Sequence, residues 1–183
     1  MNSTIFTKGS QQVHEILSEN SPQHVLIVPI DWAKKKHVAK ICDATGHYLH
    51  RRPMTLHNTT KGVEYLIGRI EKSCSQKRVK KSNVIIAAED PHSYAKPFLQ
   101  QLNDLGYLVV QVNAHKAKTL RSHSMASSDT IDLDGIANCV LNRHAVELKG
   151  QHATYEALRI ATRSYHADVK QSSRMKNQLI KLM

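Results

Sequence analysis

Two apolar, strand-like runs in this chain each end at an acidic residue. The first run spans residues 25–30 and is followed by Asp31, and the second spans residues 84–88 and is followed by Glu89. Apolar runs of this length, rich in Val and Ile, predict buried β-strands. If the two strands are parallel neighbours, both acids leave the same edge of the sheet. The sequence therefore predicts an α/β fold whose sheet presents carboxylates at one edge.

A third acidic feature, the pair Asp129 and Asp132, has a spacing that places both side chains on one face of a helix. Magnesium prefers hard oxygen ligands and takes one or two carboxylates per ion. A helix that closes over the sheet edge would complete a set of four carboxylates, which suits two-metal phosphodiester chemistry. Each acid alone has a simpler interpretation, as a turn residue or as an acid at a helix N-terminus. Asp134 is an alternative to Asp132, although it lies off the shared face.

The chain is strongly basic. It has 26 Lys and Arg against 15 Asp and Glu in 183 residues, a formal net charge of +11. That surplus favours a polyanionic partner, most commonly nucleic acid. No stretch of the sequence approaches the roughly 20 apolar residues of a spanning helix, so we expect no membrane partner. Three cysteines without a CxxC spacing indicate reduced thiols, which predicts a cytoplasmic location.

The order of predicted elements is three strands, a helix, a strand, a helix, a strand and then helices. This order indicates a mixed central sheet covered by helices. We expect strands at 25–30, 36–42, 48–54, 84–88 and 107–112, the second and third forming a hairpin across 43–46. We expect helices at 61–73, from Asp90-Pro91 onward, and at 114–123, 130–147 and 153–183, with a solvated loop at 72–81.

The chain divides into three predicted parts. Residues 1–22 form a polar N-terminal segment, for which a short helix and a loose tail are both open. Residues 23–150 form the catalytic domain, and residues 151–183 form a long basic helix with an intermittent apolar seam. That seam predicts pairing with another copy in the manner of a coiled coil. Because the helix stops at Met183 without a capping residue, we expect the chain to be a fragment.

Several basic residues are candidates for holding nucleic acid, and plain solvated faces are the open alternative. The candidates are Lys34, Lys35, Lys116, Lys118, Arg121, Arg159 and Arg163. The chain has one Trp, two Phe and six Tyr, too few for an extended base-stacking platform. Recognition of duplex DNA or folded RNA through the backbone fits the composition better.

A set of short motifs along the chain matches one known family. The motifs are Ile30-Asp31-Trp32-Ala33 with His37, Ala88-Glu89 with Tyr94, Gly106 to Val112 with Asn113, Lys116 to Arg121, Asp129-Thr130-Ile131-Asp132 with Ile136-Ala137, and Leu158-Arg159, Arg163, Val169 and Lys176-Asn177-Gln178-Leu179. Over about residues 25 to 183 the chain resembles the N-terminal domain of the DEDD-type bacterial insertion-sequence transposases. This is the "one-ten" family, related to the pilin gene invertase, which includes recombinases guided by a bridge RNA.

The resemblance implies a ribonuclease H-like fold, like that of the Holliday-junction resolvase. It assigns metal binding and catalysis to Asp31, Glu89, Asp129 and Asp132, with Mg²⁺ or Mn²⁺ as the cofactor. It also implies a DNA transposase or recombinase whose partners are DNA and a guide RNA. Members of the family carry a second domain with a serine nucleophile, so this polypeptide alone is not expected to complete strand exchange. Two other functions stay open: a resolvase-like two-metal DNA endonuclease and a non-catalytic nucleic-acid-binding module.

Overall fold

A mixed β-sheet organises the first of two units in this protein. The computed structural model describes residues 10–32, 36–89, 95–122, 128–147 and 153–182, and its units are Met1–Leu148 and Lys149–Met183. The strands are β1 Leu26–Asp31, β2 Lys36–Ala39, β3 Cys42–Asp43, β4 Met54–His57, β5 Val84–Glu89, β6 Leu108–Gln111 and β7 Val146–Glu147. Their order across the sheet is β4-β2-β1-β5-β6-β7, with β3 also paired to β1.

Strands β1, β5 and β6 are parallel to one another, and β2, β3, β4 and β7 are antiparallel to the strands that they pair with. The helices are α1 Gln11–Glu19, α2 Thr60–Lys77, α3 Lys96–Asp104, α4 Ala114–Thr119, α5 Asp129–Leu141 and α6 Ala153–Leu182. Helix α6 makes up most of the second unit. Among the described helices, none combines the length and the apolar composition needed to cross a bilayer.

The sheet separates two apolar cores, as the two-residue period of a strand requires. In β1, Val28 and Ile30 point to one core, which contains buried side chains of α2 and α3. Ile27 points to the other core, which contains buried side chains of α1, α4 and α5. Strand β5 alternates in the same way, with Ile86 on the α2 and α3 side and Ile85 on the α5 side. The parity of a strand position therefore decides which layer of helices its side chain meets.

The predicted α/β fold class is confirmed: a mixed sheet flanked by helices and followed by a C-terminal helix. For residues 1–22, where the sequence left two possibilities open, residues 11–19 form helix α1. Its Ser10 side chain caps the helix by accepting a hydrogen bond from the backbone N of Val13 at 3.2 Å, and Val13 is fully buried.

The predicted hairpin of 36–42 with 48–54 is present at its turn but wrong in its extent. Across the turn, Cys42 and Tyr48 form an antiparallel bridge, the backbone N of Asp43 donates a hydrogen bond to the carbonyl oxygen of His47 at 3.0 Å, and the backbone N of Leu49 donates one to the carbonyl oxygen of Ile41 at 2.9 Å. The Asp43 carboxylate closes the turn by accepting hydrogen bonds from the backbone N of Thr45 and of His47. The first segment is divided into β2 and β3, and β2 pairs with β4 at Met54–His57.

Three other predicted boundaries are also wrong. Helix α2 continues to Lys77, so the first half of the 72–81 loop is helical, and the helix ends only where Arg78 takes a left-handed conformation, with φ 55°. The helix expected at 130–147 ends at Leu141, and Val146–Glu147 pairs with β6. The helix expected at 114–123 ends at Thr119. The start of the helix predicted from Asp90-Pro91 lies outside the described residues.

Candidate metal and nucleic-acid site

Asp31 and Glu89 stand side by side at the end of the two central parallel strands. They are direct partners in the register of β1 and β5. Each is odd-numbered like Ile27 and Ile85, whose side chains face α5, so the alternation of the strands directs both carboxylates to that side of the sheet. Both residues are half-buried. The backbone hydrogen bonds of the sheet therefore fix the separation of these two acids.

Helix α5 brings the second pair of acids to the same side. The Ser128 side chain caps it by accepting a hydrogen bond from the backbone N of Ile131 at 3.4 Å, and Asp129 and Asp132 lie in its first turn. Asp132 shares a helical stripe with Ile136, which is fully buried in the core between α5 and the sheet. The first turn of α5 thus presents its acids toward the end of β1 and β5.

The electrostatics of the acids show that they share one environment. Burial raises the pKa of Asp31, and the negative charges of Asp132 and Asp129 raise it further. Burial also raises the pKa of Glu89, and the charge of Asp31 adds to that effect. Like charges at short range disfavour ionisation of one another, and a bound cation reverses this. The site thus disfavours the ionised forms of Asp31 and Glu89, and the positive charge of Arg121 offsets only part of this effect.

The carboxylates do not form a closed ligand shell. Within the described ranges, no three His, Cys, Asp or Glu side chains are close enough together to hold a metal ion. Asp132 instead pairs with Arg121, with 2.6 Å between Oδ1 and Nη2, although the angles do not make a hydrogen bond to that oxygen. The donor chemistry still fits Mg²⁺ or Mn²⁺, because hard carboxylate oxygens are the ligands these ions prefer. A metal would have to draw the acids together and take over the charge that Arg121 now compensates.

Asp134, the alternative to Asp132, is held by other groups. Its Oδ1 accepts a hydrogen bond from the Tyr48 hydroxyl at 2.5 Å, and its Oδ2 accepts one from the Ser122 hydroxyl at 3.0 Å. Asp134 is not among the main causes of the pKa shifts of Asp31 and Glu89. These contacts give Asp134 a structural role beside the site.

The basic residues predicted to hold nucleic acid lie in different parts of the chain. Lys118 and Arg121 lie near enough to the acids to lower the pKa of Glu89 by their positive charge, and Lys116 is exposed on α4. Lys34 and Lys35 lie outside the described residues. Arg159 and Arg163 belong to α6 in the second unit, and their side chains are outside the described part of the structure.

Two residues that sequence reasoning missed hold α4 against α5. A Cβ atom added to Gly135 would lie 2.3 Å from the carbonyl oxygen of Ala117, so only glycine permits this approach of the two backbones. The Asn138 side chain donates a hydrogen bond to the carbonyl oxygen of Leu120 at 2.8 Å. An isolated glycine inside a helical pattern is a signal from which this close contact could have been predicted.

Comparison with known proteins identifies the family. The DEDD transposase model of the IS110 type matches residues 28–183, whereas no curated protein matches significantly. Three solved structures from Thermus thermophilus are similar in part. RuvC in complex with a Holliday junction substrate has 11% identity and a TM-score of 0.45, over 68% of this chain and 100% of that chain. RuvC alone has 11% identity and a TM-score of 0.43 over the same shares.

The third similar structure, a ROK hexokinase, has 16% identity and a TM-score of 0.37, over 57% of this chain and 39% of that chain. Identities and TM-scores this low carry no inference about activity. The family model, in contrast, spans most of the chain, including all four acids. The chain belongs to the DEDD-type transposase family of bacterial insertion sequences.

Proposed function

We propose that this chain is the catalytic domain of a DNA transposase or recombinase, in which Asp31, Glu89, Asp129 and Asp132 hold Mg²⁺ or Mn²⁺. The observation that carries the proposal is the direct pairing of Asp31 with Glu89 beside the acidic first turn of α5. Membership of the transposase family supports DNA as the substrate. A DNA substrate of an insertion sequence also agrees with action in the bacterial cytoplasm.

The chain itself would supply placement and charge. Asp31 and Glu89 are fixed by strand pairing, and Asp129 and Asp132 are fixed by a capped helix, so the carboxylates are set by rigid elements and not by loops. A bound divalent ion would polarise the phosphodiester and activate its nucleophile. Because the pKa values of Asp31 and Glu89 are raised, protons should compete with the ion more strongly as the pH falls.

Basic residues would hold the nucleic-acid backbone beside the acids. Lys118 and Arg121 are the best placed, since their charges act on Glu89. We retain Lys34, Lys35, Lys116, Arg159 and Arg163 as further proposed contacts to DNA or guide RNA. Phosphate contacts of this kind predict a steep fall of affinity with salt, with a log–log slope of about −0.9 per phosphate neutralised.

We further propose that complete strand transfer needs partners beyond the residues 23–150 domain. These are a guide RNA, a second domain that bears a serine nucleophile, and another copy of the chain joined through the helix at 151–183. For the last, support comes from large apolar side chains exposed on α6, namely Leu158, Tyr165 and Met175, which are 63%, 65% and 57% exposed. A concentration-dependent mass in sedimentation experiments, lost on Tyr165→Glu, would support the pairing, and a monomer at all concentrations would refute it.

The metal site is tested by calorimetric titration of the protein with Mg²⁺ and Mn²⁺. We expect binding by the native chain, loss of binding in Asp31→Asn, and retention in Asp134→Asn, the matched acid that lies outside the site. Absence of binding by the native chain, even with nucleic acid present, would favour a non-catalytic nucleic-acid-binding module instead.

A nicking assay on the same chain separates the two enzymatic possibilities. A transposase domain that needs a serine nucleophile from elsewhere should cut DNA poorly alone. Robust Mg²⁺-dependent cutting by this chain, abolished by Asp31→Asn, would favour a resolvase-like two-metal endonuclease.

A further inference from the structure

We propose that Arg121 is an internal counter-ion of Asp132 that a divalent metal displaces, and that the released guanidinium then binds a phosphate of the nucleic acid. A single side chain would thus couple metal binding to nucleic-acid binding. This inference rests on the proposed function, because it needs Asp132 to be a metal ligand.

The first observation is the ion pair itself. Arg121 Nη2 lies 2.6 Å from Asp132 Oδ1, and the two side chains are only 16% and 22% exposed. Charges this far removed from water are costly unless each has an opposite charge beside it. If a metal takes Asp132, the guanidinium must find another anion, and the planar guanidinium fork suits a phosphate better than an ammonium does.

The second observation is that the backbone at Arg121 is held against α5 on both sides. On the N-terminal side of Arg121, the backbone of Ala117 lies close against Gly135, and the Asn138 side chain donates a hydrogen bond to the carbonyl oxygen of Leu120. After it, Asp134 accepts a hydrogen bond from Ser122. We call these three contacts the α4–α5 clamp. The clamp holds the backbone on both sides of Arg121 against α5, so only the side chain needs to move when a metal binds.

The third observation is that the positive charge of Arg121 acts on acids other than Asp132. Arg121 lowers the pKa of both Asp31 and Glu89, although its ion pair is with Asp132. The guanidinium therefore sits where it pairs with Asp132 and also offsets the repulsion at Asp31 and Glu89. A divalent cation bound by the acids would compensate their negative charge more strongly than Arg121 does. The guanidinium of Arg121 would then be unpaired beside the metal, where it could bind a phosphate of the substrate.

The experiment measures two affinities on the same proteins at pH 8. Calorimetry gives the affinity for Mn²⁺, and fluorescence anisotropy gives the affinity for a labelled DNA duplex with and without Mg²⁺. In Arg121→Ala we expect Mn²⁺ to bind about tenfold more tightly, because the competing ion pair with Asp132 is gone, and DNA in Mg²⁺ to bind about tenfold more weakly. Arg121→Gln is the second variant, which keeps a polar side chain if the alanine variant folds poorly.

Lys61→Ala is the charge-matched control, because this exposed lysine lies on α2, on the other side of the sheet. We expect it to leave the Mn²⁺ affinity unchanged. The opposite signs of the two Arg121 effects separate the coupling from mere structural damage, which would weaken both affinities.

The outcomes distinguish the two proposals. If the native chain does not bind Mn²⁺, the proposed function fails and the coupling fails with it. If the native chain binds Mn²⁺ but Arg121→Ala and Arg121→Gln bind it equally or more weakly, only the counter-ion role is overturned. If both variants bind Mn²⁺ more tightly but keep native affinity for DNA, the phosphate-binding half of the proposal is overturned.

Discussion

Replacement of Gly135 by alanine should destabilise the protein, even though alanine is the better helix former. The added Cβ would lie 2.3 Å from the carbonyl oxygen of Ala117 and 3.1 Å from its carbonyl carbon. Both atoms belong to the backbone of α4 and cannot rotate away. Relief of the contact therefore requires α4 to move by about 1 Å, as far as a normal carbon–oxygen separation demands.

The magnitude follows from two opposing effects. Overpacking of a closely packed contact costs about 1–3 kcal/mol, and a backbone-to-backbone clash should lie at the upper end. The gain in helix propensity from Gly to Ala is about 1 kcal/mol. We expect Gly135→Ala to lower the free energy of unfolding by about 2 kcal/mol. That loss corresponds to a urea midpoint about 1 M lower at the slope of a domain this size.

The matched control is Gly68→Ala on α2, where an added Cβ meets nothing within 4 Å. This exposed helical position should become more stable by about 1 kcal/mol. Urea denaturation followed by circular dichroism measures both variants. If Gly135→Ala were as stable as the native chain, or gained stability as Gly68→Ala should, the close approach of α4 to α5 would be refuted.

Three further predictions concern single side chains. Because the pKa of Asp31 is raised in the folded protein, its ionised form opposes folding above the unfolded pKa of about 4. Asp31→Asn should therefore raise the thermal midpoint of the metal-free protein at pH 7 but not at pH 3. An equal or lower midpoint at pH 7 would contradict this. Asp134→Ala should lower the free energy of unfolding, measured by urea denaturation, by about 2 kcal/mol, because Tyr48 and Ser122 lose a partly buried hydrogen-bond acceptor. The affinity for Mn²⁺ in calorimetry should stay native. Loss of metal binding would instead make Asp134 a metal ligand. Burial raises the pKa of Cys42 to about 12, so a thiol reagent at pH 8 should leave it unmodified in the native protein, and rapid labelling detected by mass spectrometry would show that the sheet opens there.

The part of the site that lies on strands was predictable from the sequence, because it depends on the period of two. The runs that end at Asp31 and Glu89 are apolar and short, and parallel pairing then brings the acids together. The spacing of Asp129 and Asp132 predicted a shared helical face in the same way. Both predictions depend on the local periodicity of a strand or a helix, and the packing of distant elements does not change that periodicity.

The contacts between elements were not predictable in that way. The pairing of Arg121 with Asp132 depends on how closely α4 approaches α5, which the absence of a side chain at Gly135 decides. Secondary-structure propensities do not predict the distance between two packed helices. The extent of the hairpin was predicted wrongly for a similar reason, since β2 pairs with β4 and the intervening segment carries no strong alternation that would specify a register.

The parallel register of β1 and β5 limits how such a protein can change in length. Between β1 and β5 the chain forms β2, β3, β4 and α2. An insertion in a loop that joins these elements alters only a connection, and the entropic cost of a longer connection grows slowly. A single-residue deletion inside either strand would turn its terminal carboxylate to the opposite side of the sheet, toward α2 and α3. A two-residue deletion would restore the side but set the carboxylate back by roughly 7 Å along the strand. Relatives should therefore vary in length at the loops between β1 and β5, while each of these two strands keeps its number of residues.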